Sequence, residues 1–355
     1  MKKLTISILA FVSFFTFLAS QDRSQSAQLQ LVVEGNGASG MEVKIVTPPL
    51  QQRIEKTEAG EFLRVFADGM IPNGLPGGPE LPVLRRMIEV PLGANPELAF
   101  EETGRQMLNL STLSPYRPLY PFQPSASKSP DSIFRFHYNP GLYQSETQHT
   151  SVRVTELGIL RDSRLFMLEI APYTYDNDRR MIHYPSELKI RIVFRDADMT
   201  ATRSMKERLG SPMFQIPSDL LLGGSIEAKS KDVLSRYPIT YVIVSDPMFQ
   251  AQLQPFIAWK KKKGFKVIEA YTNNPAVGTT TTTIKSYLAG LYNNATPENP
   301  APTYLLIVGD VAQVPAFTGT TGSHVTDLYY AEYTGDKMPE LYYGRFSAST
   351  VADLQ

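Results

Sequence analysis

Apolar and polar residues alternate along the first half of the chain. "LQLVVEG", "MEVKIVTP", "GEFLRVFADG", "RMIEVPLG", "TSVRVTELGIL", "RLFMLEIAPYTY" and "ELKIRIVF", between Leu29 and Phe194, carry a two-residue period with β-branched enrichment. Gly, Pro or Asn breaks separate them. A period of two turns one side of a strand to a core and the other to water, so this half predicts an all-β domain, sandwich or barrel-like. The proline-rich interval "STLSPYRPLYPFQPSASKSP", from Ser111 to Pro130, lacks the N–H groups a central strand needs and predicts an extended loop on the surface or against a partner.

The period then changes. Residues 195–236 are charged, contain Gly and Ser, and have little strand pattern, which predicts an exposed connecting segment. Beyond them "ITYVIVSD", "FKVIEAYT" and "TYLLIVGD" are continuous apolar runs, separated by the helical stretches "MFQAQLQPFIAWKKKKG" and "TTTTIKSYLAGLYNNA". Strands apolar on both faces and alternating with helices predict a parallel sheet covered on both sides. Ligands of such sheets gather at the carboxyl ends of the strands, where Asp246 and Asp310 stand.

Composition narrows the classes. Thirty-five Lys and Arg balance 35 Asp and Glu, so no net field steers the chain to nucleic acid or an anionic membrane. The start, "MKKLTISILAFVSFFTFLAS", has a charged head, an apolar run and small residues before Gln21. That is the form of a secretory signal cleaved after Ser20, its apolar run being short for a spanning helix. The chain of 355 residues has no cysteine, so it has no disulfide, no thiolate ligand and no cysteine nucleophile.

Candidate chemistry is sparse. Lys260–Lys263 end a helix and read as a solvated turn complementing the helix dipole, with an anion patch as the alternative. Thr279–Thr283 follow "PAVG" without a phosphate-loop motif, and read as a helix cap. His137, His149 and His183 have no second histidine or carboxylate at ligand spacing, and His324 has no serine elbow to serve. The segment "VTDLYYAEYTGDKMPELYYGRF" gathers Asp327, Glu332, Asp336 and Glu340. Their spacing departs from an EF-hand, leaving an irregular calcium site, a catalytic site and a solvated hairpin open.

"YVIVSD", "FIAWKKKKGFKV", "NNPAVGTTTTTIKSYL", "YLLIVGD" and "VTDLYYAEYTGDKMPELYYGRFSAS" together resemble successive blocks of the gingipain-type cysteine peptidases, family C25, nearest the lysine-specific branch. "GGPELPVLRRMIEVP" and "LEIAPYTYDNDRRMIHYPSELKIRIVF" resemble the prodomain of that family. The resemblance implies a multidomain chain: signal peptide 1–20, β-rich prodomain 21–198, linker with processing site 199–236, and the N-terminal part of a caspase-like α/β catalytic domain, incomplete, over 237–355. It implies processing between Arg236 and Tyr237, and a structural Ca2+ held by Asp310, Asp336, the Met338 carbonyl and Glu340, with Thr334 where relatives have a further aspartate. It further implies a prodomain packed on the catalytic domain, with Lys128 or Arg117 as the side chain that blocks the cleft. The catalytic histidine and cysteine of the family fall beyond Gln355, so the expectation is an inactive, secreted N-terminal portion, extracellular via the periplasm, of an endopeptidase that cuts protein substrates after basic residues. The alternative is a secreted non-enzymatic inhibitor or β-domain binding module.

Overall fold

In β2 (Gly40–Val46) the residues Met41, Val43 and Ile45 are buried while their neighbours are half-buried, and in β13 (Glu187–Arg195) Leu188, Ile190, Ile192 and Phe194 repeat that rhythm. The two strands pair antiparallel and form the centre of a four-stranded sheet, with β1 (Gln30–Gly37) outside β2 and β7 (Asn95–Thr103) outside β13. A second antiparallel sheet has the order β5 (Ile71–Asn73), β6 (Leu81–Glu89), β10 (Ser163–Ala171) and β9 (Ser151–Leu160). Leu84, Ile88, Phe166, Leu168 and Ile170 of this sheet meet the inner face of the first in one core. A single buried Ile or Leu here contributes about 2 kcal/mol, and Ile190→Asp would forfeit that while burying an unpaired carboxylate between the sheets.

This is a computed structural model, and it describes residues 29–113, 117–125, 135–144, 150–217, 219–226, 238–320 and 324–354. Residues 1–20, Lys128, His149, Arg236 and Tyr237 lie outside the described residues.

A smaller core sits beside the sandwich. The hairpin β3 (Gln51–Thr57) and β4 (Gly60–Phe66) packs Leu63 and Val65 against a sheet of β8 (Gln106–Asn109), β12 (Met181–Tyr184) and β11 (Thr174–Asp176), with the single turn α1 (Leu110–Leu113) alongside. Of the proline-rich interval, residues 111–113 belong to the single turn α1 and residues 117–125 run extended against the small core, the second of the two expected settings. Leu119 is buried, Leu63 donates to the Pro118 carbonyl and Phe122 donates to that of Gly78. It thus stitches the small core together while its prolines offer no donors of their own.

The connecting segment expected over 199–236 differs. Met199–Leu209 form helix α2, capped by Asp198, whose carboxylate accepts from the Ala201 amide at 2.8 Å. Lys206 and Glu89 make a buried ion pair, and Glu89 also accepts from the Ile226 amide at 3.0 Å. The buried charge explains the difference: Lys206 reads as solvent-facing in sequence, but its partner lies on β6.

The C-terminal part is the expected parallel sheet. Its order is β15 (Phe265–Tyr271), β14 (Ile239–Ser245), β16 (Pro302–Val308) and β19 (Tyr342–Phe346), all parallel. Every residue of β14 is buried, since α3 (Gln250–Lys262) covers one face through Leu253 and Ile257 and α4 (Thr281–Asn293) the other through Ile284 and Leu288. Thr280 and Thr283 cap α4 reciprocally, which assigns the threonine run its expected place. The loop from β16 to β19 carries the short hairpin β17 (Phe317–Thr318) and β18 (Val325–Thr326).

Candidate functional site

At the carboxyl end of the parallel sheet, the two aspartates serve as local caps. Asp246 accepts from the Met248 amide at 2.9 Å, and Asp310 from the Val311 amide at 2.9 Å. Arg345, on β19, binds Asp327 through Nε at 2.8 Å and Nη2 at 2.6 Å. Its Nη1 also donates to the carbonyls of Gly309 and Val314, at 2.9 and 2.7 Å, which fixes the loop after β16. The bidentate fork needs a carboxylate in that plane and finds one on the same unit. His324 stands in the β17–β18 hairpin, where its carbonyl accepts from the Gly319 amide at 2.8 Å.

The remaining acidic residues are at the other end. The Arg161 Nη1 donates both to the Pro302 carbonyl, at 2.7 Å, and to the Glu340 carbonyl, at 2.9 Å, so Glu340 lies beside the start of β16. Asp310 follows its end, and its amide bonds the Ala348 carbonyl beyond β19. The six steps of strand from Pro302 to Val308 span about 20 Å. Asp310 therefore cannot share one ion with Asp336, Met338 and Glu340, and the calcium set expected from the resemblance does not assemble. The geometry of the loop agrees with this. Asp336 accepts from the Ile159 and Met338 amides, at 2.6 and 2.8 Å, and fully buried Glu340 accepts from the Tyr333 amide at 2.7 Å and the Thr334 hydroxyl at 2.9 Å. Among the described residues, no group of three or more His, Asp or Glu is arranged to hold a metal ion. Burial pushes the Glu340 carboxyl up to about 7, against the two hydrogen bonds and with help from Asp336 and Glu332. Glu332 bonds Lys285 at 3.3 Å and the Gly335 amide.

Two of these contacts cross between the halves of the chain. Ile159 belongs to β9 and Arg161 to the turn that follows it, and sequence reasoning singled out neither. Beside them Leu209 of α2 packs with Tyr292, Ala295 and Ala301, Thr303 bonds Ser211 at 3.0 Å, and the Phe214 ring lies 4.6 Å from that of Tyr342. The β-rich region thus sits on the amino end of the sheet, opposite the end where ligands of such sheets gather.

Other expected residues are placed as follows. Arg117 pairs with Glu61 of β4 at 2.7 Å and its carbonyl accepts from Arg180 at 2.6 Å, so its guanidinium is engaged inside the β-rich region. Lys260 is not simply solvated: its ammonium lies 4.5 to 5.2 Å from the rings of Tyr241, Trp259, Phe256 and Phe265, and burial pulls its pKa down. Aromatic neighbours at i−1, i−4 and across the sheet were the readable signal for that cation–π cluster. His137 bonds the Arg135 carbonyl at 2.8 Å, and the buried His183 Nδ1 has no hydrogen-bond partner among the described residues.

Comparison with known proteins matches residues 34–209 to the C25 propeptide and residues 235–355 to peptidase family C25. Lys-gingipain of Porphyromonas gingivalis is 32% identical over 302 residues, which cover 84% of this chain and 17% of that protein. The chain therefore spans about a sixth of the length of the curated relatives it matches. A solved chain from a study of the zymogenic latency of gingipain K, from the same organism, is 26% identical with a TM-score of 0.43, covering 48% of this chain and 94% of that one. A chain from the complex of P. gingivalis RgpB pro- and mature domains is 16% identical with a TM-score of 0.39, covering 52% of this chain and 97% of that one.

Proposed function

The chain belongs to peptidase family C25, and from that premise we propose that it is the zymogen portion of a secreted gingipain-like cysteine endopeptidase. The chemistry of the complete enzyme would be attack of a cysteine thiolate on the peptide carbonyl after a basic residue, with a histidine relaying the proton. No cysteine occurs in these 355 residues, so the attacking sulfur is not among them. Their part is to hold a propeptide against an α/β scaffold. The observation that carries this reading is the packing of the β9–β10 turn and α2 onto the amino end of the sheet, which leaves the carboxyl end to substrate.

The purified chain, offered Lys- and Arg-ester substrates, should give no turnover; hydrolysis that a thiol alkylator abolishes would refute this. Secretion through the leading segment would yield a mature chain beginning at Gln21, read by amino-terminal sequencing. No helix among the described residues is long and apolar enough to cross a membrane.

The lack of cysteine also favours a second reading, a secreted inhibitor of a related peptidase. A reading frame that continues into a histidine and a cysteine supports the first; inhibition of a related lysine-specific peptidase by residues 21–236, without such a frame, supports the second.

A further inference from the structure

Arg161 is 1% exposed, at the tip of the hairpin joining β9 and β10. Its four hydrogen bonds all end on backbone carbonyls: Nε on Leu209 at 2.5 Å, Nη1 on Pro302 and Glu340 at 2.7 and 2.9 Å, and Nη2 on Ala301 at 3.3 Å. Leu209 ends α2, so one bond satisfies a terminal helix carbonyl, and the other three satisfy carbonyls where β16 and β19 begin. The guanidinium also lies 5.5 Å from the Phe214 ring. Asp162 and Glu340 supply negative charge nearby, yet neither carboxylate takes a hydrogen bond from it.

The backbone around Arg161 is shaped for this insertion. Arg161 has φ of +58°, a conformation that costs an ordinary side chain about 1 kcal/mol, and here it aims the guanidinium inward. The register of β9 against β10 skips Leu157, a bulge that turns the following backbone outward. There the Ile159 amide meets Asp336 at 2.6 Å, and Gly158, with φ of +140°, leaves room where a Cβ would collide with that carboxylate. Tyr292 closes the ring by donating its hydroxyl to the Arg161 carbonyl at 2.9 Å.

We propose that Arg161 is a docking plug, by which the propeptide recognises the amino end of the C25 sheet through its main chain and stays bound after the segment between the two is cut. The partner is the α/β unit of residues 238–354, read at three carbonyls that are independent of side-chain identity and clasped in return by Asp336. The plug works at the end of the sheet remote from the carboxyl-end crevice, so docking and blocking of a cleft are separable. The idea rests on the propeptide reading only for the existence of a cut. Its test measures association, so it can fail while the peptidase reading stands.

In the full chain, a protease recognition sequence replacing residues 228–235 would be cleaved and the halves followed by size exclusion and by dissociation equilibrium. The wild-type halves should co-elute. Arg161→Ala should raise Kd about 100-fold or more, since buried carbonyls lose a charged donor. Arg161→Lys should fall between, as one ammonium cannot span the four carbonyls. On the other side of the contact, Asp336→Ala should cost about tenfold and Tyr292→Phe several-fold. These two leave the hairpin sequence intact, and they decide the matter if Arg161→Ala does not fold. Separation of the wild-type halves, or an unchanged Kd in Asp336→Ala and Tyr292→Phe, would overturn the proposal.

Discussion

A guanidinium gathers backbone carbonyls at each end of the parallel sheet, but the two arginines come from different places. Arg345 at the carboxyl end belongs to β19, collects Gly309 and Val314, and has its own counter-ion in Asp327. Arg161 at the amino end belongs to the propeptide, collects Ala301, Pro302 and Glu340, and has no carboxylate hydrogen-bonded to it. At the carboxyl end the guanidinium and its partners therefore all lie within the α/β unit. The amino end is completed by a neighbour, and its polar groups lose their partner when that neighbour leaves.

Three measurements bear on this contrast. Arg345→Met strands a nearly buried Asp327 and should cost the α/β unit about 3–5 kcal/mol while leaving the affinity of the cleaved propeptide unchanged. The sole tryptophan, Trp259 on α3, reports melting of that unit. A matching loss of propeptide affinity would mean that the two ends are not independent.

Glu340→Gln probes the amino end through pH. The carboxyl ionises at about 7 in the folded chain against an ordinary 4.5, so its contribution is fully present below pH 4.5 and is lost as pH rises through 7. The loss amounts to about 3 kcal/mol. The amide keeps its carbonyl on the Tyr333 amide and donates to Thr334, so the variant should melt higher than wild type at pH 8 and equally at pH 4. A variant melting below wild type at pH 8 with calcium present, a difference that a chelator abolishes by lowering wild type, would instead revive the metal reading. The smallest effect is expected for Asp310→Asn, within about 0.5 kcal/mol, since the amide oxygen still caps Val311. Wild type and variant should show the same melting temperature with and without calcium.

Much of the fold was legible in the residues. The alternation of β2 and β13, the unbroken apolar run of β14 and the threonine cap of α4 each follow from local pattern. β7 was passed over: in "NPELAFEET" only Leu98 and Phe100 carry the alternation, half-buried against the sandwich core, before the strand runs into Glu101 and Glu102 at the edge of the sheet. The helix α2 was hidden for a different reason, its central Lys206 being neutralised by a residue 117 positions earlier. The acidic loop was visible as a cluster, but not its function. Asp310 and Glu340 were joined only by the resemblance, and only the register of β16 with β19 shows that the strand keeps them at opposite ends. Arg161 gave no signal at all, because what it reads is main chain.

The contact between Asp336 and Ile159 also protects solubility. β9 is the outer strand of its sheet, and its unpaired amides offer a template on which another chain could add a strand. The bulge bends that edge, and the carboxylate covers one of its donors with a charge that an incoming strand would have to displace. Loss of the α/β unit would thus uncover a sticky border on the propeptide, and fibrillar association should begin there.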